Sequence, residues 1–499
     1  MNEGAFSRSE KAAFAAILAL AAALRLAVVL TPGAVHPDEI FQYLEQAHRA
    51  AFGYGVIPWE YRYGMRSWLL PLLLAGPMRV GEWAAPGTQL YLLLPKLLVA
   101  SLSLLVVPAA FALGARLSKL HGFVAMAVAA TWYELAFYGA HVLTEPAATA
   151  LVLAAGALLT SRSATPRSLA AAGLLLGLAG ILRFHYLPAI GTLALLACGT
   201  EWRPRWAPLI AGGTVALGAG AAVDLAMGSA PFAWIGTNFV QNIVANRSAD
   251  YGVHPPLAYF GELRLAWGLL FLPLLLFPIL VLRPYRALLA AAAVNLLVHS
   301  AIGHKEYRFI FLSVTILVIV AAIGSVEALR RLPPGPAGTR RRLAPAALLL
   351  FWLGGSAALA AGGHLRTPSE SLAGGMQSLA ALARVPGVCG VGLTGMNFLF
   401  TGGYSHLHRP LPFYVAASPA AGPAQPPLAS VAPSFNAIVA PAAKAGELPQ
   451  GYRAIHCSGA ASASDPAAER VCAFIRPGGC RPEGQEAHRL EAVMARLDR

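Results

Sequence analysis

The chain has 499 residues, of which 57% are hydrophobic and only 12% are charged, and its formal net charge at pH 7 is +14. Charge this scarce, about half that of an ordinary soluble domain, excludes a soluble globular enzyme and indicates a polytopic, all-α membrane protein. The basic residues separate apolar runs and do not alternate with aromatic residues on one soluble domain, so nucleic acid is not expected as a partner.

Apolar runs follow one another along the first three quarters of the chain. We predict about eleven transmembrane helices, at residues 12–30, 89–115, 121–138, 145–160, 168–183, 186–200, 206–227, 265–282, 287–303, 309–326 and 344–361. The first run is long, contains Arg25 and lacks a small-x-small cleavage site, so we expect a retained anchor. The shorter segment 66–77 is interrupted by Pro71, and we predict an interfacial or re-entrant helix there.

The distribution of arginine and lysine predicts the orientation of these spans. With a cytoplasmic N-terminus, each short basic cluster falls in a cytoplasmic loop, as the positive-inside rule requires. The clusters are Arg8 and Lys11, Arg116 and Lys119, Arg162 and Arg167, Arg203 and Arg205, Arg283 and Arg286, and Arg330 and Arg331 with the run 340–342. The C-terminus is then extracytoplasmic. The Ala-, Arg- and Gly-rich composition favours a bacterial inner membrane.

Two domains are expected: a transmembrane core over 1–361, whose first outer loop is 31–88, and an extracytoplasmic domain over 362–499. The tail is more polar and contains the β-like runs "GVCGVGLTG", "FNAIVAP" and "VCAFIRPGG", which predict a small mixed α/β domain. It also contains four cysteines, Cys389, Cys457, Cys472 and Cys480. Four cysteines allow three disulfide pairings, and the sequence does not choose among them.

The first outer loop begins with "HPDEIFQYLEQAHRAAFGYG", which places Asp38 and Glu39 just outside the first span. The spacing of apolar residues over 38–50 predicts a helix lying along the membrane surface. A carboxylate in this place can be a general base, a metal ligand or a helix N-cap.

Basic residues occur on the same predicted outer face, where the positive-inside rule does not expect them. Arg and Lys donors match phosphate oxygens, so this set suits an anionic lipid headgroup. Its members are Arg62, Arg66, Arg183, His304, Lys305 and Arg308. For the segment "HKEYRF" a solvated turn with snorkelling side chains is the alternative.

Motifs for other chemistries are missing from the sequence. There is no HExxH pair, no G-x-S-x-G elbow, no phosphate loop and no paired CxxC, so neither a metal site nor a cofactor is implied. There is also no DxD-type pair of carboxylates. Its absence favours a sugar donor that already carries a lipid over a metal-bound nucleotide sugar.

Three separated segments resemble glycosyltransferase family 22, which contains dolichyl- or polyprenyl-phosphate-mannose-dependent mannosyltransferases and their bacterial relatives. They are "HPDEIFQYLEQAHRAAFGYGVIPWEY" with "RYGMRSWLLP", then "NRSADYGVHPPLAYF", then "HKEYRFIF". Pro256 stands where the family commonly has an aromatic residue. The resemblance implies a GT-C fold, a catalytic acid in the first outer loop and a polyprenyl-phosphate sugar as donor.

Carried over residue by residue, the resemblance implies that Asp38 is the catalytic acidic residue and Glu39 its neighbour. A role in binding the donor phosphate is expected for His304, Lys305, Arg308 and Arg66. Further site residues are expected at His36, Glu145, Tyr251, His254 and Glu306.

The expected reaction moves a mannosyl or other hexosyl unit from polyprenyl phosphate to a hydroxyl of a lipid-linked glycan or glycolipid on the outer membrane face. Asp38 acts as the base of an inverting displacement, and the cations stabilise the leaving phosphate. Two alternatives stay open. One is a GT-C transferase with another lipid-linked sugar, such as arabinose or a hexosamine, or with a protein acceptor. The other is a lipid or glycan transporter.

Overall fold

The computed structural model describes residues 6–331, 339–362, 366–418, 425–458 and 470–497. A helix begins at Thr339, and because its side chains are described from Ala344 onward, those of the basic run 340–342 lie outside the described residues. The chain divides into two compact units. The first contains Met1–Val29, Ser67–Leu69 and Leu97–His364, and the second contains Leu30–Arg66, Leu70–Lys96 and Leu365–Arg499.

The first unit is built from helices joined by short turns. Their bounds are Arg8–Leu30, Val106–Ala115, Lys119–Thr131, Tyr133–Tyr138, Thr144–Leu159, Pro166–Leu182, Leu187–Cys198, Ala207–Ala226, Ala233–Phe239, Ala258–Trp267, Phe271–Leu276, Leu282–Ala301, Phe311–Arg331 and Thr339–Ala361. Apolar residues cover most sides of these helices, which is typical of helices surrounded by lipid and by each other.

Several helical stretches are long and apolar enough to cross a membrane. Within the described residues these are Arg8–Leu30, Leu90–Ala115, Trp202–Ala226, Ala258–Ala301, Tyr307–Arg331 and Ala344–Ala361. Shorter apolar helices occur at Lys119–Thr131, Thr144–Leu159, Pro166–Leu182 and Phe184–Cys198. The chain is therefore a multi-pass integral membrane protein. The count of eleven spans and their orientation stay predictions.

Two helices of the first unit, Pro166–Leu182 and Ala207–Ala226, touch backbone to backbone. A Cβ atom added at Gly173 would lie 1.9 Å from the carbonyl oxygen of Leu209. One added at Gly212 would lie 1.8 Å from the carbonyl oxygen of Ala170. Small residues at such contacts let membrane helices approach closely. This contact fixes the helix that is followed directly by Arg183.

The second unit contains a five-stranded sheet: β1 Val391–Thr394, β2 Phe413–Ala416, β3 Ala437–Pro441, β4 Arg453–Cys457 and β5 Val471–Ile475. The strand order is β2-β1-β3-β5-β4. β1 pairs in parallel with β2 and β3, and β5 pairs antiparallel with β3 and β4. The three predicted β-like runs contain β1, β3 and β5, which confirms a small sheet domain in the tail.

Helices surround this sheet or belong to the loop segments of the same unit. They lie wholly or partly within it at Glu45–Phe52, Trp59–Arg62, Leu69–Ala84, Leu90–Ser103, Arg366–Ala383, Gly403–Leu407, Leu428–Val431 and Leu490–Leu497. Two disulfides join Cys389 to Cys480 and Cys457 to Cys472. The structure thus selects one of the three pairings that the sequence allowed.

The helix predicted over 38–50 is present as a π-helical turn, Glu39–Leu44, followed by the α-helix Glu45–Phe52. Its apolar residues Ile40 and Phe41 pack in one core with Leu379 and Leu393. The position of this helix along the membrane surface stays a prediction. The helix is a core element of the second unit, because its apolar face is covered by side chains from residues far along the chain.

Glu45 links this helix to the C-terminal part of the same unit. Its side chain is fully buried, and its oxygens accept hydrogen bonds from the backbone N–H groups of Val56 (2.8 Å), Tyr404 (3.1 Å) and Ser405 (2.7 Å). Burial raises the pKa of Glu45 to about 7, against the opposing effect of these hydrogen bonds.

Candidate active site

Asp38 and Glu39 occupy different environments although they are neighbours in sequence. The Asp38 side chain keeps 19% of its surface exposed, and its Oδ1 lies 3.3 Å from Nδ1 of His36. The Glu39 side chain is fully buried, and its Oε2 accepts a hydrogen bond from the backbone N–H of Val35 at 3.1 Å. Asp38 makes no side-chain capping bond to the helix that follows it. The accessible carboxylate of this pair is that of Asp38.

Arg66 lies in the same unit as these carboxylates and is surrounded by acidic and phenolic groups. Burial alone would lower the pKa of Arg66, but the neighbouring Tyr43, Glu60 and Asp38 raise it above its usual value. Glu60 in turn accepts a hydrogen bond from the Gln42 side chain at 2.7 Å. The guanidinium thus stays positively charged and within the electrostatic reach of Asp38.

The second signature, "HKEYRF", forms an ion-pair network in the first unit. Oε2 of Glu306 lies 2.5 Å from Nε of Arg308, and Oε1 of Glu306 lies 3.0 Å from Nε2 of His304. The hydrogen bond to Glu306 raises the pKa of His304, against the opposing effect of burial. Glu306 therefore holds two of the predicted phosphate-binding side chains in place.

Glu145 extends the network to two further helices. Its Oε1 lies 3.4 Å from NH1 of Arg308 and 3.3 Å from NH1 of Arg183. Glu145 is fully buried, and each arginine keeps only 6% of its surface exposed. A charge this deep requires counter-charges nearby. The structure thus brings together Glu145, Glu306 and Arg308, whose roles stay predictions.

Lys305 is buried, and its ammonium group bonds to the backbone of its own turn. Its Nζ donates hydrogen bonds to the carbonyl oxygens of Ser300, at 2.9 Å, and of Ile302. The side chain lies over the ring of Tyr259, 5.8 Å from its centroid. Burial lowers the pKa of Lys305, while Glu262 raises it. The ammonium group is thus fixed by the turn that it closes.

The loop with the third motif packs against the second signature. The backbone N–H of His254 donates to the carbonyl oxygen of Gly303 at 3.0 Å, and Nδ1 of His304 lies 3.2 Å from the carbonyl oxygen of Gly252. The Tyr251 and His304 rings are 5.9 Å apart. Tyr251 and His254 are themselves exposed. Two of the three motifs therefore meet in the first unit, and the first motif belongs to the second unit except for Ser67–Leu69.

Arg183 is the residue that the sequence did not single out. It appeared there only as one of six basic residues on the predicted outer face, in the segment "RFHY". Its position directly after an apolar helix could have indicated a functional role, since a charged residue at the end of a membrane helix is costly and usually functional. Among the described residues, no group of three or more His, Cys, Asp or Glu side chains could hold a metal ion. The expectation that no metal is needed stays a prediction.

The family model of the Alg9-like mannosyltransferases matches residues 16–362, the part of the chain that holds all three motifs. The chain belongs to the Alg9-like mannosyltransferase family. The resemblance stated above is thereby confirmed. Over 328 residues the chain is 30% identical to GPI mannosyltransferase 3 of Yarrowia lipolytica, an alignment that covers 61% of this chain and 61% of that protein. The match thus spans less than two thirds of that relative's length.

Two solved structures share the fold. One is ArnT from Cupriavidus metallidurans, crystallised with undecaprenyl phosphate, with a TM-score of 0.59, 12% identity and coverage of 94% of this chain and 99% of that chain. The other is the Archaeoglobus fulgidus oligosaccharyltransferase, with a TM-score of 0.50, 12% identity and coverage of 87% and 70%. At this identity the likeness shows the fold alone, which is the expected GT-C architecture.

Proposed function

We propose that the protein is a membrane mannosyltransferase that moves a mannosyl unit from a polyprenyl-phosphate donor to a hydroxyl of a lipid-linked glycan or glycolipid. The observation that carries the proposal is the family match over residues 16–362. A lipid-phosphate donor is supported by the undecaprenyl phosphate bound to the structural neighbour ArnT. A glycolipid acceptor is supported by the name of the relative GPI mannosyltransferase 3.

Asp38 is the proposed base. It takes the proton of the acceptor hydroxyl as the hydroxyl oxygen attacks the anomeric carbon, and the product has inverted configuration. Its partly exposed carboxylate supports this role, whereas Glu39 is buried and accepts a hydrogen bond from the backbone of Val35. Arg66 supplies a positive charge that interacts with Asp38.

The proposed leaving group is the lipid phosphate, which keeps the electron pair of the broken bond between the anomeric carbon and oxygen. Hydrogen-bond donors that are held in position before the reaction stabilise the negative charge that develops on the phosphate. Arg308 and His304, which Glu306 holds in place, are the proposed hydrogen-bond donors to the leaving phosphate. Lys305 adds positive charge at the same turn. No general acid is required, because the phosphate leaves as an anion.

The orientation is also part of the proposal: a cytoplasmic N-terminus, an extracytoplasmic C-terminus and a bacterial inner membrane. The disulfides Cys389–Cys480 and Cys457–Cys472 support a non-cytosolic tail, because disulfides persist in oxidising compartments. The donor and the acceptor then meet at the outer face of the membrane.

The test uses purified protein in nanodiscs with radiolabelled polyprenyl-phosphate-mannose and a membrane glycolipid extract. We expect transfer by the wild type, loss of transfer in Asp38→Asn with the donor still bound, and normal transfer in the control Glu447→Gln, which alters an exposed carboxylate. Transfer that survives in Asp38→Asn would remove Asp38 as the base and move attention to Glu39. If the protein transfers no mannose but does transfer arabinose or a hexosamine from a lipid-linked donor, the proposed donor sugar is wrong. Uptake into vesicles without a covalent product would indicate a transporter.

A further inference from the structure

Arg183 is buried without the full set of partners that a guanidinium needs. Only 6% of its surface is exposed, yet its Nε has no hydrogen-bond partner among the residues that the structure describes. Its Cζ lies 4.8 Å from the ring centroid of Phe309. A buried donor left unpaired costs free energy. Such a donor therefore indicates an acceptor that joins it in the working enzyme.

Arg308 approaches the same place from another segment. Its Cζ lies 5.2 Å from the same Phe309 ring, and its NH1 lies 3.4 Å from the same Glu145 oxygen that Arg183 reaches at 3.3 Å. Charge-assisted hydrogen bonds are normally 2.7–2.9 Å long. The contacts of Glu145 are longer, and its Oε1 makes no hydrogen bond within the described part of the chain. Glu145 thus attracts both guanidiniums without engaging either closely.

The charges of the cluster leave room for an anion. Arg183, Arg308 and Lys305 carry three positive charges, and Glu145, Glu306 and Glu262, the carboxylate that interacts with Lys305, carry three negative ones, so these charges balance. Protonation of His304, favoured by its hydrogen bond to Glu306, leaves one positive charge in excess. A phosphodiester carries one negative charge. A phosphate monoester carries up to two near neutral pH.

We propose that Arg183 and Arg308 together form a cradle for a phosphate ester, and that Glu145 is the positioning residue that aims both guanidiniums at it. This inference rests on the proposed function. Transfer breaks the bond from the anomeric carbon to the phosphate oxygen, which retains the electron pair, so the phosphodiester donor becomes a monoester with more negative charge. After transfer, the remaining lipid phosphate binds to the cradle more tightly than the donor does. The reason is that it presents more negative charge to two planar guanidiniums, which match phosphate oxygens.

The role of Glu145 follows from the same geometry. Two guanidiniums at one point repel each other, and the fully buried carboxylate between them offsets that repulsion. Glu145→Gln removes a negative charge, so attraction of an anion does not weaken, but the guanidiniums lose their fixed directions. Stabilisation of charge in the transition state depends on such directions. Turnover is therefore expected to fall while affinity for the lipid phosphate does not.

The binding test uses the full chain in nanodiscs with undecaprenyl phosphate as the probe and inorganic phosphate as a competitor. We expect Arg183→Gln to weaken binding of undecaprenyl phosphate roughly tenfold or more, and to weaken binding of the phosphodiester donor less. Arg183→Lys should restore part of the loss, since lysine lacks the planar fork. The control Arg286→Gln, at an exposed position on another helix, should bind as the wild type does.

Wild-type affinity in a monodisperse Arg183→Gln variant would overturn the cradle. Complete displacement by millimolar inorganic phosphate would overturn the lipid as ligand and assign the site to free phosphate. For Glu145, we expect at least a tenfold lower kcat in Glu145→Gln, an unchanged Kd for undecaprenyl phosphate and partial recovery in Glu145→Asp. Wild-type kcat in Glu145→Gln would overturn the positioning role.

The binding assay involves no transfer, so failure of this inference and failure of the proposed function are distinguishable. Arg183-dependent binding of undecaprenyl phosphate without any mannosyl transfer would support the cradle and remove the proposed activity. Mannosyl transfer together with undecaprenyl phosphate binding that does not depend on Arg183 would support the activity and overturn the cradle.

Discussion

Glu45 makes the packing of the second unit dependent on pH. Its carboxyl group is fully buried and accepts hydrogen bonds from the backbone of Val56, Tyr404 and Ser405. The change we consider is Glu45→Gln, which keeps the size of the side chain and removes its titration. In the variant, an amide N–H₂ replaces one oxygen and meets a backbone N–H group, so one of the hydrogen bonds is lost.

The magnitude follows from the pKa. Burial raises the pKa of Glu45 from 4.5 to about 7, and a shift of this size corresponds to about 3 kcal/mol. Because the pKa is raised in the folded state, the protonated form is favoured there. The stabilisation is fully present below pH 4.5, is lost progressively as the pH rises to about 7, and stays lost above it.

Hydrogen exchange followed by mass spectrometry measures the pH-dependent stabilisation by Glu45 locally, on peptides that cover residues 403–408 and 54–57. After correction for intrinsic exchange rates, wild-type protection should fall roughly a hundredfold between pH 4.5 and pH 7.5. Glu45→Gln should show lower protection at acid pH and no such slope. Glu447→Gln, a change at an exposed carboxylate, should keep the wild-type slope. A wild-type protein without pH dependence, or a Glu45→Gln variant with the wild-type slope, would refute the reasoning.

Two further predictions concern stability. Gly212→Ala should destabilise the first unit by about 1–3 kcal/mol or more, since its Cβ would lie 1.8 Å from the carbonyl oxygen of Ala170. Gly218→Ala is the control, because a Cβ atom at this position of the same helix would meet open space, and this variant should behave as the wild type. Thermal inactivation in detergent compares the two variants. Equal midpoints for Gly212→Ala and Gly218→Ala would contradict the close contact. Replacing Cys389 and Cys480 by serine opens a loop of 91 residues and should cost about 2–5 kcal/mol. Proteolysis of the tail measures the loss, and an unchanged cleavage rate would contradict it.

Features that depend on local pattern could be predicted from the sequence. The apolar runs predicted the helices, because length and hydropathy alone decide whether a segment can cross lipid. The strands β1, β3 and β5 were predicted because they are short apolar runs between turn residues. β2 and β4 were missed. β4, "RAIHC", is only partly buried and carries polar residues, so its pattern is weak.

Features that depend on distant partners could not be predicted. The nearness of His36 to Asp38 is local, and the motif already contained it. The sharing of Glu145 by Arg183 and Arg308 joins three segments separated by long helices, and no spacing in the sequence encodes it. The burial of Ile40 and Phe41 was missed for the same reason, since they pack with residues of the tail.

The bond between Glu45 and Ser405 has a consequence for biosynthesis. The two residues are 360 positions apart, so at about 5–20 residues per second the ribosome needs roughly 20 to 70 s to make the second after the first. During that time Ile40 and Phe41, just before the Glu45 helix, lack the tail residues Leu379 and Leu393 with which they pack. The nascent protein must pass through an interval in which this segment is vulnerable to aggregation and proteolysis, and the order of synthesis rather than the final stability decides how long that interval lasts.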